Sequence, residues 1–439
     1  MTRSSNQPAS KPSDRIATDA TLKSRPVVLH TRVVTGTGGG PEKTILNSPR
    51  FLAEYGIETA CLFMHPPGDP GFETLKARAA KASAEIIGVE DRGPLDLNVV
   101  RQCIEICRRR NVTIWHGHDY KSNALGLLVR MFHPMHLVTT AHGWVRFTSK
   151  TPLYYRIDRF CMKRYEQTVC VSRDLYDTCL EFGVPKERVN LIDNAIVLED
   201  YATNPPSLSD RARFGFGNGQ LLIGAAGRLS EEKGFHHLID AVGKLVREGL
   251  PLGLLIAGEG HLKEQLQQQI DDLELQNHVR LTGFLADPRE LYRSIDLFVL
   301  SSLREGLPNV VLEAMASQRP VIATNCNGIP ALISTEENGL VIRPDSCEAL
   351  IDAIQRCSLS ESLRDRLAKA GRQTIERNFC FRRRMQKIVA VYRKLSPQLA
   401  AEIPESAELP GRSIEPSTTS RTQSSDSSLK RAEPVSGRV

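Results

Sequence analysis

The chain has 439 residues, of which 41% are hydrophobic and 25% charged, with a formal net charge of +6. This is ordinary globular chemistry, long enough for two separate cores, and the modest positive charge suits an anionic ligand or a membrane surface without requiring nucleic acid. No run of 18 apolar residues occurs, so no helix is expected to span a membrane, and the opening MTRSSNQPASKPSDRIATDATLKSR lacks the apolar core of a secretory signal.

Residues 1–24 and 397–439 are polar, the second segment rich in Ser, Pro, Glu and Arg, and both are expected to be disordered tails. Between them, short apolar runs alternate with helical patterns. Strands are expected at Val27–His30, Thr59–Met64, Val112–His116, Leu137–Thr140, Thr168–Val171 and Val189–Ile192. A second set is expected at Leu221–Ala225, Leu252–Ala257, Val279–Thr282, Leu297–Leu300, Pro320–Thr324 and Gly339–Ile342. Continuous apolar strands alternating with helices indicate parallel sheets covered on both faces. The fold class expected is therefore α/β, with two doubly wound, Rossmann-like domains facing one cleft. The boundaries read as 25–200 for the first domain, 201–218 for a linker carrying Asn204-Pro205-Pro206, and 219–380 for the second. The ten cysteines form no Cys-x-x-Cys pair, and the expectation is buried reduced thiols in a cytoplasmic protein.

Each set opens with a strand, then a Gly/Lys loop, then a helical pattern. In the first, Gly36-Thr37-Gly38-Gly39-Gly40-Pro41-Glu42-Lys43 matches neither the dinucleotide fingerprint nor a Walker loop, and Pro49 should break or kink the helix that follows. Closely spaced glycines let backbone N–H groups approach an anion; an unliganded flexible loop is the equal alternative. In the second, Arg228 and Lys233 lie five residues apart just past a strand and can converge on one diphosphate, unless Glu231 and Glu232 neutralise them. Glu305-Gly306-Leu307-Pro308 reads as a loop running into a helix that carries Glu313. The two carboxylates can bracket sugar hydroxyls, or simply complement a helix dipole. His116, His118 and His142 each follow a predicted strand and are expected at the mouth of the cleft. His-x-His suggests a metal, but no third ligand and no Asp-x-Asp is evident, so no metal is expected.

Gly39-Gly40-Pro41-Glu42-Lys43, Thr140-Ala141-His142-Gly143, Val171-Ser172-Arg173-Asp174-Leu175, Gly227-Arg228-Leu229 with Lys233-Gly234, Ala257-Gly258-Glu259-Gly260, Leu281-Thr282-Gly283-Phe284, the Glu305-x7-Glu313 segment with Ala314-Met315, and Pro320-Val321-Ile322-Ala323-Thr324 occur in this order. Over about residues 26–392 the chain thus resembles the retaining glycosyltransferases of family 4, which have the GT-B fold. The resemblance implies that Arg228 and Lys233 hold the diphosphate of a nucleotide sugar and Glu313 its ribose. It further implies that Glu305, with the backbone of Gly306 and Leu307, holds the donor sugar, and that His142 contacts that sugar near the reacting carbon. Gly39 and Gly40 would approach the phosphates from the other domain, the Gly283-Phe284 segment would line the base pocket, and a last helix near 381–395 would cross back onto the first domain. Transfer from a UDP- or GDP-sugar to a saccharide or lipid-linked acceptor hydroxyl, without a metal or other cofactor, is the implied reaction, in polysaccharide, lipopolysaccharide or glycolipid assembly. The sequence departs from the family pattern at Ile192-Asp193-Asn194-Ala195-Ile196-Val197, at Asn327 and at His261. A nucleotide-sugar 2-epimerase, a glycosidase and a non-catalytic sugar-nucleotide-binding paralogue are the rivals. Arg146, Lys150, Arg156, Arg159, Lys163 and Arg164, interleaved with Phe147, Tyr154, Tyr155, Phe160 and Tyr165, read either as a solvated basic helix or as a peripheral contact with anionic membrane at the inner face.

Overall fold

The computed structural model describes residues 25–36, 38–143 and 151–406. The first sheet contains β1 (Val27–Val33), β2 (Glu58–His65), β3 (Ile86–Glu90), β4 (Ile114–Gly117), β5 (His136–Ala141), β6 (Gln167–Cys170) and β7 (Val189–Leu191). Its helices are α1 (Gly40–Leu52), α2 (Pro70–Lys81), α3 (Leu97–Arg109), α4 (Tyr120–Arg130), α5 (Thr151–Met162) and α6 (Arg173–Glu181). After a connecting helix, α7 (Leu208–Arg213), the second sheet holds β8 (Leu221–Ala226), β9 (Leu252–Ala257), β10 (Val279–Gly283), β11 (Leu297–Leu300), β12 (Val321–Thr324) and β13 (Leu340–Ile342). With it run α8 (Phe235–Arg247), α9 (Lys263–Asp272), α10 (Arg289–Ser294), α11 (Asn309–Ala316), α12 (Cys347–Leu359) and α13 (Glu361–Asn378). The chain closes with α14 (Phe381–Arg393) and α15 (Pro397–Glu402).

Both sheets are parallel, ordered β3-β2-β1-β4-β5-β6-β7 and β10-β9-β8-β11-β12-β13. Each reverses its winding once, between β1 and β4 in the first and between β8 and β11 in the second. At such a reversal the loops leaving two adjacent strands diverge and open a crevice. The loops after β1, β4, β8 and β11 carry Gly39, His118, Arg228 with Lys233, and Glu305 with Gly306. The central strands are buried along their length, as in β4 and β11, which is why they read as continuous apolar runs. On α8, Phe235, Leu238, Ile239, Val242 and Leu245 recur at helical spacing, and all are buried against the second sheet.

Three elements differ from the sequence expectation. Strand β3 was not expected. It is an edge strand whose Ile86, Ile87 and Gly88 are only partly covered or exposed, so it lacks the run of buried residues that marks its neighbours. Helix α1 begins at Gly40, so Pro41, Glu42 and Lys43 form its first turn and do not belong to the loop. Pro49 lies inside α1 without ending it. Proline cannot donate to the Ile45 carbonyl one turn back, and the Cys61 Sγ–H bonds that carbonyl at 3.7 Å instead. Finally, the expected tail from 397 starts too early: α15 is ordered, and Leu399 and Ile403 are buried beside α14. The expected tail residues 1–24 and 407–439 lie outside the described residues.

Helix α14 packs on the first sheet. Phe381, Met385, Ile388, Val389 and Tyr392 share one core with Val28, Ile114, Val138 and Val169. Its entry is fixed by a short parallel bridge, Ile196 N–H to the Phe379 carbonyl and Phe381 N–H to the Ile196 carbonyl, both 2.8 Å. Cys103 and Cys107 are both buried on α3, and burial pushes both thiols well up, Cys107 to about 12. No described helix is long and apolar enough to cross a membrane.

Candidate functional site

The cation loop follows β8. Gly227 is followed by Arg228, whose side chain is exposed and has no ion pair among the described residues. A single 3-10 turn, Glu231–Lys233, brings Lys233 back against the same loop, where a Cβ on Gly227 would lie 3.1 Å from Lys233 Cε. Gly234 closes the turn in the left-handed region and admits no side chain, because a Cβ would meet the Ser301 carbonyl oxygen at 2.4 Å. The loop rests on Gly258, whose φ is +141° and whose added Cβ would lie 1.9 Å from the Gly227 carbonyl oxygen. Gly258→Ala is therefore expected to cost upwards of about 2 kcal/mol, since backbone must move to admit the methyl. A thermal melt reads this directly, and an unchanged melting temperature would mean that the loop can back away freely.

Lys233 does not pair with Glu231 or Glu232, the neighbours that could have neutralised it. Its Nζ lies 2.5 Å from Glu305 Oε1, which also accepts from Ser302 Oγ at 2.8 Å. Glu231 pairs with His261 instead. Lys233 and Glu305 are 72 positions apart, and they meet because β8 and β11 are hydrogen-bonded neighbours. Both side chains are largely covered. Gly306 is exposed next to them, pressed close to Gly328, where a Cβ would lie 1.8 Å from the Gly306 carbonyl oxygen.

Glu313 lies on the second turn of α11 and is buried. Its Oε1 accepts from Lys43 Nζ at 2.6 Å and its Oε2 from Tyr292 Oη at 2.9 Å. Lys43 also reaches Tyr201 Oη at 2.7 Å. Burial together with the Glu313 charge raises both tyrosine hydroxyls well above their ordinary range, so both stay protonated. Lys43 thus ties α1 of the first sheet to α11 of the second. The starts of these helices nearly touch: a Cβ on Gly40 would lie 2.8 Å from Asn309 Nδ2. Two helix N-termini, each with unpaired N–H groups, therefore face the same space. A second tie crosses nearby, from Asn327 Nδ2 to Asp174 Oδ2 at 2.7 Å. Asn327 is one of the positions that departs from the family pattern.

The loop before α1 is braced by Glu42, which accepts from Arg32 Nε at 2.5 Å and from the Gly39 N–H at 2.6 Å. Burial alone would raise the Glu42 carboxyl; the Arg32 charge and these hydrogen bonds outweigh it and hold the group below its usual range. Gly283 ends β10, the edge strand of the second sheet, and Phe284 follows it, 62% exposed. An exposed aromatic ring there is a free face on which a planar base could stack.

The histidines lie deeper than expected. His116 sits inside β4, and both it and His118 are buried, so neither is at the mouth of the cleft. His142, just past β5, is the partly exposed member. His118 Nδ1 lies 2.9 Å from His142 Nε2, and His118 Nε2 lies 2.9 Å from His30 Nδ1. His116 bonds the Tyr392 and Thr140 hydroxyls, each at 2.7 Å. His30 was not singled out from sequence; it joins the group because the parallel register pairs it with His116. Contrary to expectation, a third nitrogen donor is thus available: His30, His116 and His118 have ring nitrogens within 4.8 Å of one another and could hold a metal. The present bonding does not favour this. Both ring nitrogens of His116 and of His118 are already engaged, and only His30 Nε2 is unpartnered.

All four imidazoles are held neutral. Burial, helped by the buried Arg384 cation, pulls His30 down to about 3. Burial also lowers His116, His118 and His142 strongly, with further repulsion from neighbouring histidines, from Arg384 for His116 and His142, and from Arg32 for His118 and His142.

Residues 38–200 match the family model described as glycosyltransferase family 4, and residues 207–374 match the model for group 1 glycosyl transferases. The chain belongs to the group 1, family 4 glycosyltransferases, with two parallel-sheet Rossmann-like domains of the GT-B type. It is 36% identical over 170 residues to a lipopolysaccharide core biosynthesis glycosyltransferase of Rhizobium meliloti, an alignment that spans 39% of this chain and about half (49%) of that relative. It is 25% identical over 308 residues to the UDP-Gal:alpha-D-GlcNAc-diphosphoundecaprenol alpha-1,3-galactosyltransferase of Escherichia coli, covering 68% of this chain and 79% of that protein. Among solved structures, Anabaena Alr3699/HepE in complex with UDP and glucose superposes with a TM-score of 0.70 at 21% identity, over 84% of this chain and all of that one.

Proposed function

We propose that this enzyme transfers a glycosyl group, with retention and without a metal, from a UDP- or GDP-sugar to an acceptor hydroxyl during assembly of a polysaccharide, lipopolysaccharide or glycolipid. The observation that carries the reading is the crevice at the β8/β11 reversal. There Lys233 pairs with Glu305, Arg228 lies exposed on the same loop as Lys233, and the starts of α1 and α11 approach one another at Gly40 and Asn309. Arg228 and Lys233 hold the diphosphate, and Gly39 and Gly40 approach it from the opposite helix. Glu313 holds the ribose hydroxyls, which takes the place of its Lys43 contact, and Phe284 beside Gly283 stacks on the base. Glu305, with the N–H groups of Gly306 and Leu307, holds the donor sugar, and His142 reaches it from the first domain.

In the reaction the bond from the anomeric carbon to the diphosphate oxygen breaks and the bond to the acceptor oxygen forms on the same face. The acceptor proton passes to the departing phosphate oxygen. Charge that builds on that phosphate is stabilised by the two cations and the helix N-termini. Glu305 and Glu313 share one wall with the cations, which does not suit a glycosidase, whose two carboxylates face each other across the sugar.

A screen of the purified protein against nucleotide sugars, reading nucleotide release and thermal shift, tests the reading. Nucleotide release that depends on an acceptor supports it. Conversion of the donor sugar without acceptor would point to the epimerase, and a thermal shift with no turnover under any condition would point to a binding paralogue.

The membrane contact rests on α5 and the turn that follows it. Ile157 and Phe160 are exposed there among the exposed Arg156, Arg159, Lys163 and Arg164. Tyr165 does not belong to this face: it is buried, and its hydroxyl bonds the Asn123 carbonyl at 2.9 Å. Arg146, Phe147 and Lys150 lie outside the described residues. Co-sedimentation with anionic vesicles is expected and should weaken as salt rises; no binding at low salt would remove the membrane from the proposal.

A further inference from the structure

We propose that His118 and His30 are positioning residues: through the hydrogen-bonded line His142–His118–His30 they hold His142 as its Nδ1–H tautomer, so that it can only donate a hydrogen bond to the sugar in the cleft. This rests on the proposed reading of His142 as the sugar contact.

The two links of the line are both nitrogen-to-nitrogen, each 2.9 Å. Such a bond needs one N–H and one bare nitrogen, and a neutral imidazole carries one of each. His118, in the middle, uses both of its nitrogens. Its tautomer therefore sets the direction of both bonds at once, and the line has only two states. In one, all three rings carry the proton on Nδ1: His30 donates to His118, and His118 donates to His142. In the other, all three carry it on Nε2 and both bonds run the opposite way. A charged ring would break the line, and the surroundings disfavour one. Arg32 bonds the His118 carbonyl at 2.8 Å, and Arg384 is buried nearby with its Nε unpartnered. His116 stacks on His118 and packs against His30, with ring centroids at 4.6 and 4.8 Å. Its own nitrogens are anchored to Tyr392 and Thr140, so the rings have little room to turn.

The far end of the line selects between the two states. His30 Nε2 is buried and has no partner. In the Nδ1–H state it is a bare acceptor; in the Nε2–H state it is a buried N–H with nothing to bond. An orphaned buried N–H is the rarer and costlier defect. This selects Nδ1–H, the reverse of the tautomer a free imidazole side chain prefers in water.

At the near end, His142 Nδ1 has no protein partner among the described residues and is the nitrogen left for a ligand. In the selected state it carries a proton and has no lone pair to offer. His142 can donate to a sugar oxygen but cannot serve as a base. The acceptor's proton must then leave by another route, which agrees with its transfer to the departing phosphate.

The test is two-bond proton–nitrogen correlation NMR on the full chain labelled with 15N-histidine, with signals assigned from single substitutions. The expected result is the Nδ1–H pattern for His30, His118 and His142. An Nε2–H pattern in the parental protein overturns the proposal, as does one equivalent of tightly held zinc that His30→Asn removes. Two substitutions test the direction. In His30→Asn, the amide N–H stands where the Nδ1–H was and keeps the line running the same way, so kcat should stay within threefold. In His30→Asp, the carboxylate can only accept, so the line should reverse, His142 should show the Nε2–H pattern, and kcat should fall at least tenfold with the donor KM within threefold. Equal kcat and an unchanged His142 pattern in the two variants would sink the idea. If His30→Asp does not fold, the parental spectrum still decides. Full turnover by His142→Ala would refute the sugar contact alone, because the tautomer pattern is read without substrate.

Discussion

Replacing Arg228 or Lys233 by alanine is expected to lower turnover of the donor at least 100-fold, or about 2.7 kcal/mol of transition-state stabilisation. The effect should fall on kcat more than on KM, because the charge these cations meet is largest on the departing diphosphate. The two variants should differ in stability. The Arg228 side chain is exposed and has no ion pair among the described residues, so its loss should leave the melting temperature nearly unchanged. Lys233 is the partner of the largely covered Glu305, and its loss leaves that carboxylate with Ser302 alone. Removing one member of a covered pair strands the other charge, so Lys233→Ala should also melt earlier. Near-parental rates in both variants, with every donor that the enzyme accepts, would refute the phosphate assignment.

The second large effect is acid lability. His30 is held near 3 in the folded chain against an ordinary value of 6.5, and His116, His118 and His142 are lowered in the same direction. Between those limits the unfolded chain binds protons that the folded chain refuses, so stability falls as pH drops below 6.5 and is flat above it. Each such histidine costs about 1.4 kcal/mol per pH unit below that point, so His30 alone should cost about 2 kcal/mol at pH 5. Asp119, whose carboxyl is raised by burial, offsets part of the loss toward the acid end. Urea midpoints at pH 7 and pH 5 measure the difference, and His30→Asn should reduce it by about one proton's worth. Equal midpoints for the parental chain would mean that the histidines are not held neutral.

The sequence carried much of the site because local chemistry is written locally. Arg228 and Lys233 share one loop, and Pro308 and Glu313 mark one helix start. The paired strand sets announced two similar domains, since a strand buried on both faces must be apolar throughout. The same rule hid β3, an edge strand that is only partly covered. Histidines were legible where a cluster or a motif marked them: His116 and His118 as His-x-His and His142 in Thr140-Ala141-His142-Gly143 drew attention, whereas His30, alone at the end of an apolar run, did not.

By itself, then, the sequence determined the fold class, the family and which loops carry the candidate cations and carboxylates, because residue type and spacing set burial and loop chemistry. Only the tertiary structure decided which of these groups meet. Lys43 reaches Glu313 across 270 positions, Lys233 reaches Glu305 because β8 and β11 are adjacent, and His30 enters the histidine line because β1 and β4 pair in parallel register. The physical reason is that hydrogen-bonded strand neighbours are fixed by the order in which strands join the sheet, and that order is not written at any one place in the chain.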